Sequence, residues 1–235
     1  MDQPRSTLVT PGVYLLDLPP GGGNVYVWQA RHGVTLIDTG LPGSARAVLA
    51  GLQALGHPPS DVVEIVLTHF HRDHTGSAAE LARHTGARVL AHPADAAVIA
   101  GKQPPVPPSL TELERSLAEM IFGDLSRLPG PAAPPLEVDP VDDGYVTAGG
   151  GTIVATPGHT PGSIALLVAD VLFTGDTIAS FEGAPILGPF NIDRPGAIAS
   201  VRKQALLDYD TACVGHGQPL VGGANRKVLA MIRSF

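Results

Sequence analysis

Short β-rich runs alternate with glycine in the first part of the chain. Residues 12–16, 24–28 and 34–38 combine β-branched, aromatic and leucine side chains, which predicts three neighbouring strands. A helix is predicted over residues 44–55 because its apolar positions recur on one face and Gly56 follows as a stop signal. The chain therefore begins with strands and then turns to a helix.

The next apolar runs continue this order. Residues 62–67 predict a strand, residues 77–85 a helix with Gly86 behind it, and residues 87–91 a further strand. No sequence repeat accompanies the pattern. The first half thus predicts strands with helices placed between them.

Residues 101–140 interrupt the pattern. Nine prolines flank a helical segment predicted near residues 110–122: Pro104, Pro105, Pro107, Pro108, Pro129, Pro131, Pro134, Pro135 and Pro140. Proline at this density is incompatible with a continuous sheet. We interpret the segment as a surface excursion, either a lid or substrate wall, or equally a dimer contact or linker.

The second half returns to strands and then helices. Strands are predicted at residues 152–155, 163–168 and 171–173, and helices near residues 194–207 and 225–233. Each half therefore has strands first and a helix after them. This order suggests one domain over residues 1–235, with two packed sheets and helices outside.

Composition and charge limit the function. The 235 residues carry a net charge of -7 and show no basic stripe, so neither nucleic acid nor an anionic membrane surface is an expected partner. The single Cys213 forms no internal disulfide and is expected in the core. The first residues lack the apolar segment of a signal peptide, and no apolar run is long enough to cross a bilayer. A cytoplasmic location is the resulting expectation.

Metal-ligand side chains follow the apolar runs. Three imidazoles and one carboxylate lie within six positions directly after the strand predicted at 62–67, and three further candidates each follow another apolar run. In chain order the candidates are His69, His71, Asp73, His74, His159, Asp176 and His216. Imidazole and carboxylate at this density favour a metal site at the ends of converging strands.

These motifs resemble those of the metallo-β-lactamase superfamily, and the resemblance covers almost the whole chain. It implies an α+β fold, an αββα sandwich of two mixed β-sheets with helices on the outer faces. It also implies that Asp38 orients the loops at the metal rim without touching metal. The implied ligands are His69, His71 and His159 for the first metal and Asp73, His74 and His216 for the second, with Asp176 as the bridge.

The spacing is compatible with this assignment. His69 and His71 are two positions apart, so an extended backbone projects both to one side, while Asp73 and His74 lie beyond them where the chain turns. Two divalent ions about 3.5–4 Å apart can share a water and lower its pKa towards about 7, which supplies a bridging hydroxide as nucleophile. Zinc is the expected metal, and manganese or iron fit the same ligands.

The expected activity is hydrolysis of a small-molecule ester, thioester or lactone, with Asp73 and Asp176 as the catalytic carboxylates. Asp176 departs from the true β-lactamases of the superfamily, and Ala179 stands where its acyl-homoserine lactonases have tyrosine. Glyoxalase II enzymes have a sequence similar to residues 173–177 but add a C-terminal helical domain, whereas few residues follow His216 here. The alternatives are a mono-iron, persulfide dioxygenase-like oxidoreductase and a weak β-lactamase or phosphodiesterase activity.

Two further sets of residues complete the expectations. Apolar side chains between the ligand segments form candidate substrate-pocket walls, with ordinary core as the competing interpretation: Phe70, Met120, Ile121, Phe122, Phe181, Ile186, Leu187 and Phe190. His32, His57, His84 and His92 are interpreted as surface or structural residues. The expected partners are a small-molecule substrate and, through residues 101–140, a second copy in a homodimer.

Overall fold

The strands predicted at the start of the chain form one edge of a large sheet. The computed structural model describes residues 6–18, 20–122 and 137–235. In this part of the chain the first sheet has seven strands in sequence order. They are β1 (Ser6–Thr10), β2 (Val13–Leu16), β3 (Tyr26–Ala30), β4 (Gly33–Ile37), β5 (Val62–Val66), β6 (Arg88–Ala91) and β7 (Asp139–Pro140).

This sheet is mixed. Strands β1 to β4 pair antiparallel, as short connections between them allow, whereas β4, β5, β6 and β7 pair parallel through longer crossovers. The carboxyl ends of β4, β5 and β6 therefore lie at one edge of the sheet.

A second, four-stranded sheet is built from the other half of the chain. Its order is β13-β10-β9-β8, with β8 (Thr152–Ala155), β9 (Ile164–Val168) and β10 (Val171–Gly175) antiparallel and β13 (Thr211–Val214) parallel to β10. The hairpin of β11 (Ile178–Phe181) and β12 (Ala184–Leu187) stands apart as a two-stranded sheet. Since β10 and β13 are parallel, their carboxyl ends also share one edge.

The two sheets pack face to face over an apolar core. Tyr26, Ile37 and Val66 of the first sheet meet Phe173 and Cys213 of the second, all buried in one cluster. The rings of Tyr26 and Phe173 pack edge to face with centroids 5.5 Å apart. Side chains alternate along each strand, so the neighbours of these residues face the opposite side of each sheet.

Helices cover both outer faces. Those on the first sheet bury its other face, where Val27 and Leu36 pack with Val48 and Leu81, and those on the second sheet include Val201 and Val228 in the cluster with Val214. The helices are α1 (Ala45–Ala54), α2 (Arg72–Thr75), α3 (Ala78–Thr85), α4 (Pro93–Ile99), α5 (Glu112–Phe122), α6 (Arg194–Ala205) and α7 (Ala224–Met231). The predicted α+β sandwich, αββα with two mixed sheets, is confirmed.

The structure also departs from the sequence prediction. Helix α4, the β11–β12 hairpin and the two-residue strand β7 were not predicted, and Pro140 takes part in β7 despite the proline content around it. Residues 123–136 of the excursion lie outside the described residues, so a single domain over 1–235 stays a prediction. Among the helices described, none combines the length and apolar character needed to traverse a bilayer.

Candidate metal centre

The first ligand run begins where β5 ends. His69 and His71 lie in the loop between β5 and α2, and Asp73 and His74 lie within the short helix α2. The backbone of His71 is extended at the N-cap of α2, so the chain turns immediately after the second histidine. The Nε2 of His69 and the Nδ1 of His71 are 3.0 Å apart, as expected for side chains projecting to one side.

The remaining three candidates lie just past strands of the second sheet. His159 follows β8, Asp176 directly follows β10, and His216 follows β13. All seven predicted ligands therefore meet at one rim of the sandwich, and all except His216 are buried. The structure brings together every residue that the sequence assigned to the centre.

The first group contains three histidines and one aspartate. One nitrogen or oxygen of each of His69, His71, His159 and Asp176 lies within 4.8 Å of the others. The Nε2 of His159 is 3.0 Å from the Nδ1 of His71. Three imidazoles and a carboxylate this close together are a donor set of the kind that binds zinc.

The second group contains Asp73, His74 and His216, whose ligand atoms also lie within 4.8 Å of one another. The Nε2 atoms of His74 and His216 are 3.3 Å apart. Asp176 lies between the groups: its Oδ1 is 3.3 Å from His74 Nε2, and its Oδ2 is 3.3 Å from His216 Nε2 and 3.6 Å from His159 Nε2. Asp176 therefore faces ligand atoms of both groups, and its bridging role stays a prediction.

Burial keeps the first group in the form that binds metal. Burial lowers the pKa of His71 to about 3, and burial together with the neighbouring His74 and His159 lowers the pKa of His69. Neutral imidazole offers a nitrogen lone pair, whereas imidazolium does not. At neutral pH these side chains are therefore ready to act as ligands.

The second group has the opposite charge state. The carboxylate of Asp176 raises the pKa of His216 to about 10. Burial acts to lower the pKa of His74, but Asp176, Asp73 and Asp38 raise it above its ordinary value. Burial acts to raise the pKa of Asp73, but His74 and a hydrogen bond from His216 lower it to about 2. The raised pKa values of His74 and His216 favour their positively charged forms, which neutralise the nearby carboxylates of Asp73 and Asp176. A bound cation would neutralise the same carboxylates.

The donors present fit divalent metal ions. Several buried nitrogens face one another at 3.0 Å, and a single proton between two of them cannot satisfy all of their lone pairs. The buried Oδ1 of Asp73 has no hydrogen-bond partner within the described part of the chain. The two clusters are compatible with a dinuclear metal site, and the donor set leaves the identity of the metal open between zinc, manganese and iron.

Two residues that support the centre were not found from the sequence. Asp95 in α4 accepts hydrogen bonds from the loops that carry His69, His71 and His159. The Asn24 side chain donates to the carbonyls of Val214 and Gly217 on either side of His216, both at 2.8 Å. Neither residue is near the ligands in sequence and neither belongs to a motif, so no local signal pointed to them.

The other candidates fall into two classes. Phe70 is buried in the helix-side core, whereas Phe181, Ile186 and Met120 are exposed. Leu187 packs against a core cluster, Phe190 is half-buried, and the side chains of Ile121 and Phe122 lie outside the described part. His92 caps α4 and His57 contacts Asp61, while His32 and His84 are exposed, which fits their interpretation as surface or structural residues.

A sandwich of two mixed sheets with clustered histidines and aspartates at its rim defines a metal-binding hydrolase fold. A family model described as the metallo-beta-lactamase superfamily matches residues 18–216. The chain belongs to this superfamily, and it is an enzyme of this fold.

The relatives include named hydrolases. The chain is 28% identical over 231 residues to "Probable metallo-hydrolase YflN" of Bacillus subtilis (strain 168), with 92% of this chain and 84% of the relative covered. It is 31% identical over 170 residues to "Hydroxyacylglutathione hydrolase" of Shewanella baltica (strain OS195). That alignment covers 68% of this chain but only 52% of the relative, so the chain matches about half the length of that enzyme.

A solved structure supports the fold independently. The metallo-beta-lactamase family protein TTHA1429 from Thermus thermophilus superposes with a TM-score of 0.70 at 24% sequence identity. The superposition covers 96% of this chain and 79% of the other. This likeness establishes the architecture.

Proposed function

We propose that the protein is a dinuclear metal-dependent hydrolase of a small-molecule ester, thioester or lactone. The observation that carries the proposal is the position of Asp176, whose two oxygens face ligand atoms of both groups. Similarity to a hydroxyacylglutathione hydrolase over its matching half supports an acyl substrate. The mono-iron alternative uses one ion, whereas Asp73, His74 and His216 offer a second set of donors.

The residues of the chain divide the work. His69, His71 and His159 would hold one ion, Asp73, His74 and His216 the other, and Asp176 would keep the two together. When bound, the ions supply a hydroxide nucleophile at neutral pH and polarise the substrate carbonyl. The buried Oδ1 of Asp73, which has no hydrogen-bond partner in the described chain, is available to orient the nucleophile and to pass a proton to the leaving group.

An exposed apolar surface beside the centre supports an acyl substrate. Cross-strand pairing in the β11–β12 hairpin places Ala179 opposite Ile186 and Phe181 opposite Ala184, all on one face. Phe181 is 65% exposed and Ile186 is 40% exposed. The N–H of Ser180 donates to the carbonyl of His216, so this hairpin runs alongside a proposed ligand. We propose this face as the platform for the acyl part of the substrate.

The test combines metal counting with a substrate panel. Metal-free protein is loaded with zinc, manganese or iron, and each form is assayed on esters, thioesters, lactones, phosphodiesters and β-lactams. We expect about two ions per chain, with turnover of an ester, thioester or lactone that Asp176→Ala abolishes. Asp170→Ala, which removes an exposed aspartate in the β9–β10 turn, is the matched control and should retain turnover.

Three outcomes would contradict the proposal. Turnover that survives Asp176→Ala would place the chemistry elsewhere. One iron per chain with oxygen uptake would favour the oxidoreductase, and metal binding without turnover of any panel member would indicate a binding module.

A further inference from the structure

A buried carboxylate outside both ligand groups connects the loops that carry the first group. Asp95 is fully buried at the start of α4. Its Oδ2 accepts hydrogen bonds from the Phe70 N–H at 3.0 Å and the Thr160 hydroxyl at 2.6 Å, and its Oδ1 accepts one from the Gly162 N–H at 2.7 Å. All three contacts place a donor against a carboxylate oxygen.

The three donors belong to the two ligand loops. Phe70 lies between His69 and His71, in the loop that follows β5 of the first sheet. Thr160 is next to His159, in the loop that follows β8 of the second sheet. One side chain therefore fixes the distance between loops that come from different sheets, beside a backbone hydrogen bond from the Ile164 N–H to the Thr68 carbonyl at 2.9 Å.

The first group needs such a connection. His69, His71 and His159 are buried, and His71 Nδ1 is 3.0 Å from a nitrogen of each of the other two. Neutral nitrogens at that distance attract one another only where a proton lies between them. The rigid loops around them must therefore hold the geometry until an ion binds.

The local chain is shaped around this carboxylate. A Cβ on Gly162 would lie 2.7 Å from both Cβ and Cγ of Asp95, so any larger residue would push the loop away. Burial raises the pKa of Asp95 to about 6, with hydrogen bonds from Thr160, Gly162 and Phe70 acting against burial. Its two oxygens accept all three hydrogen bonds, as a carboxylate does.

We infer that Asp95 is a positioning residue, which holds His69, His71 and His159 in ligand geometry by clamping their two loops. The inference rests on the ligand assignment of the proposed function. An asparagine at this position would place its amide N–H against at least one of the three donors, so Asp95→Asn keeps the shape while breaking at least one contact.

The experiment measures metal affinity of the full-length protein. In a His216→Ala background, which disables the second group, zinc is titrated in competition with a chromophoric chelator, and cobalt absorption reports coordination geometry. Adding Asp95→Asn should weaken zinc binding by about 10–100-fold, the usual effect of losing a residue that orients a metal ligand, and should change the cobalt spectrum. Glu64→Gln, at an equally buried carboxylate that accepts the Ala148 N–H, is the matched control and should change neither.

The outcomes separate this inference from the proposed function. If wild-type protein binds no metal, the ligand assignment fails and this inference fails with it. If wild-type protein binds metal and Asp95→Asn binds it equally well, the clamp alone is refuted. Should Asp95→Asn not fold, Thr160→Val removes one of the three contacts, and unchanged zinc affinity in that variant would equally refute the clamp.

Discussion

The Nδ1 of His74 lies 2.8 Å from the Oδ2 of Asp38 in the buried interior. The same carboxylate accepts hydrogen bonds from the N–H and the hydroxyl of Thr68, both at 2.8 Å. Both oxygens of Asp38 already accept from Thr68, so in the neutral His74 ring the remaining proton resides on Nδ1, facing Asp38. This leaves the Nε2 of His74 facing Asp176 and His216, as a ligand nitrogen must.

Asp38→Asn should therefore weaken metal binding. An amide N–H towards His74 would favour the tautomer with its proton on Nε2, where it blocks the metal. Asparagine tolerates the positive φ of 60° at this position, so the backbone is retained. We expect metal affinity about 10–100-fold lower by chelator competition.

The chain offers a matched control for this prediction. His57 and Asp61 form another histidine–aspartate pair, 3.0 Å apart and more exposed, that includes no residue of the two ligand groups. Asp61→Asn should leave metal affinity unchanged. Equal losses in both variants would show a general effect on stability and not on His74.

A second prediction concerns the close approach of Gly23 to His74. A Cβ at residue 23 would lie 2.4 Å from the Cε1 of the His74 ring, and the N–H of Gly23 donates to the Asp73 carbonyl. Gly23→Ala should displace the ring and reduce bound metal from about two ions towards one, measured by elemental analysis. Gly22→Ala is the control, since the nearest atoms to its Cβ would belong to Leu41, at 3.2 Å or more. Full metal content in Gly23→Ala would contradict the arrangement.

These relationships show how far the sequence could predict the centre. His69, His71, Asp73 and His74 were predictable because the ligands are adjacent in sequence and follow an apolar strand, and each later ligand also follows a strand. Asp95 was not predictable, because α4 has only seven residues and lacks a long apolar repeat, and its contacts join residues 25 and 65 positions apart. Sequence patterns reflect residues that are close along the chain, whereas the contacts of Asp95 form only when distant segments pack together.

The β11–β12 hairpin illustrates the same limit for the fold. Each strand has four residues, and the connecting pair Glu182 and Gly183 both have positive φ, as in a two-residue hairpin turn. The sequence around Phe181 and Ile186 does not predict strands, because runs this short are ambiguous between strand and helix. The register of β11 against β12 determines which face of the hairpin Phe181 and Ile186 occupy.

A third prediction tests this face as the acyl platform. For an apolar platform, each added methylene in the acyl chain should improve kcat/KM by up to about fourfold, equivalent to about 0.8 kcal/mol. Phe181→Ala should flatten this dependence mainly through KM, as measured over a chain-length series. Leu206→Ala, which removes an apolar residue that is 84% exposed at the end of α6, should leave it intact. If the dependence of kcat/KM on acyl-chain length is unchanged in Phe181→Ala, the hairpin face is not the acyl platform.

A fourth prediction concerns how α5 is attached. Glu114 accepts hydrogen bonds from the N–H and hydroxyl of Thr111 at 2.8 Å and from the Phe190 N–H at 3.1 Å, and it lies 3.5 Å from Arg194. Glu114→Ala should therefore release α5 and accelerate its amide hydrogen exchange. Glu112→Ala removes an exposed carboxylate of the same helix and should have little effect.

The contacts of Glu114 also predict how the docking of α5 changes with pH. Burial acts to raise the pKa of Glu114, but its hydrogen bonds and Arg194 lower it below the ordinary 4.5. A depressed pKa means that the ionised form stabilises the docked helix above 4.5, and that this contribution is lost as pH falls through the lowered value. Proteolysis of α5 should rise on acidification in wild type, and a comparable rise in Glu114→Ala would contradict the assignment.

The last prediction uses Cys213 to report on the whole centre. This thiol is 1% exposed between the sheets, and burial raises its pKa, so alkylation requires β13 to leave the sheet. His216 lies three positions further on, so we expect metal binding to hold β13 in place. With metal at 100 times its dissociation constant, labelling should slow by about 100-fold, equivalent to about 2.7 kcal/mol. Asp176→Ala, which removes the proposed bridge, should lose this protection while its metal-free labelling rate stays close to that of wild type. Protection that persists in Asp176→Ala would mean that the hold on β13 does not depend on the proposed bridge.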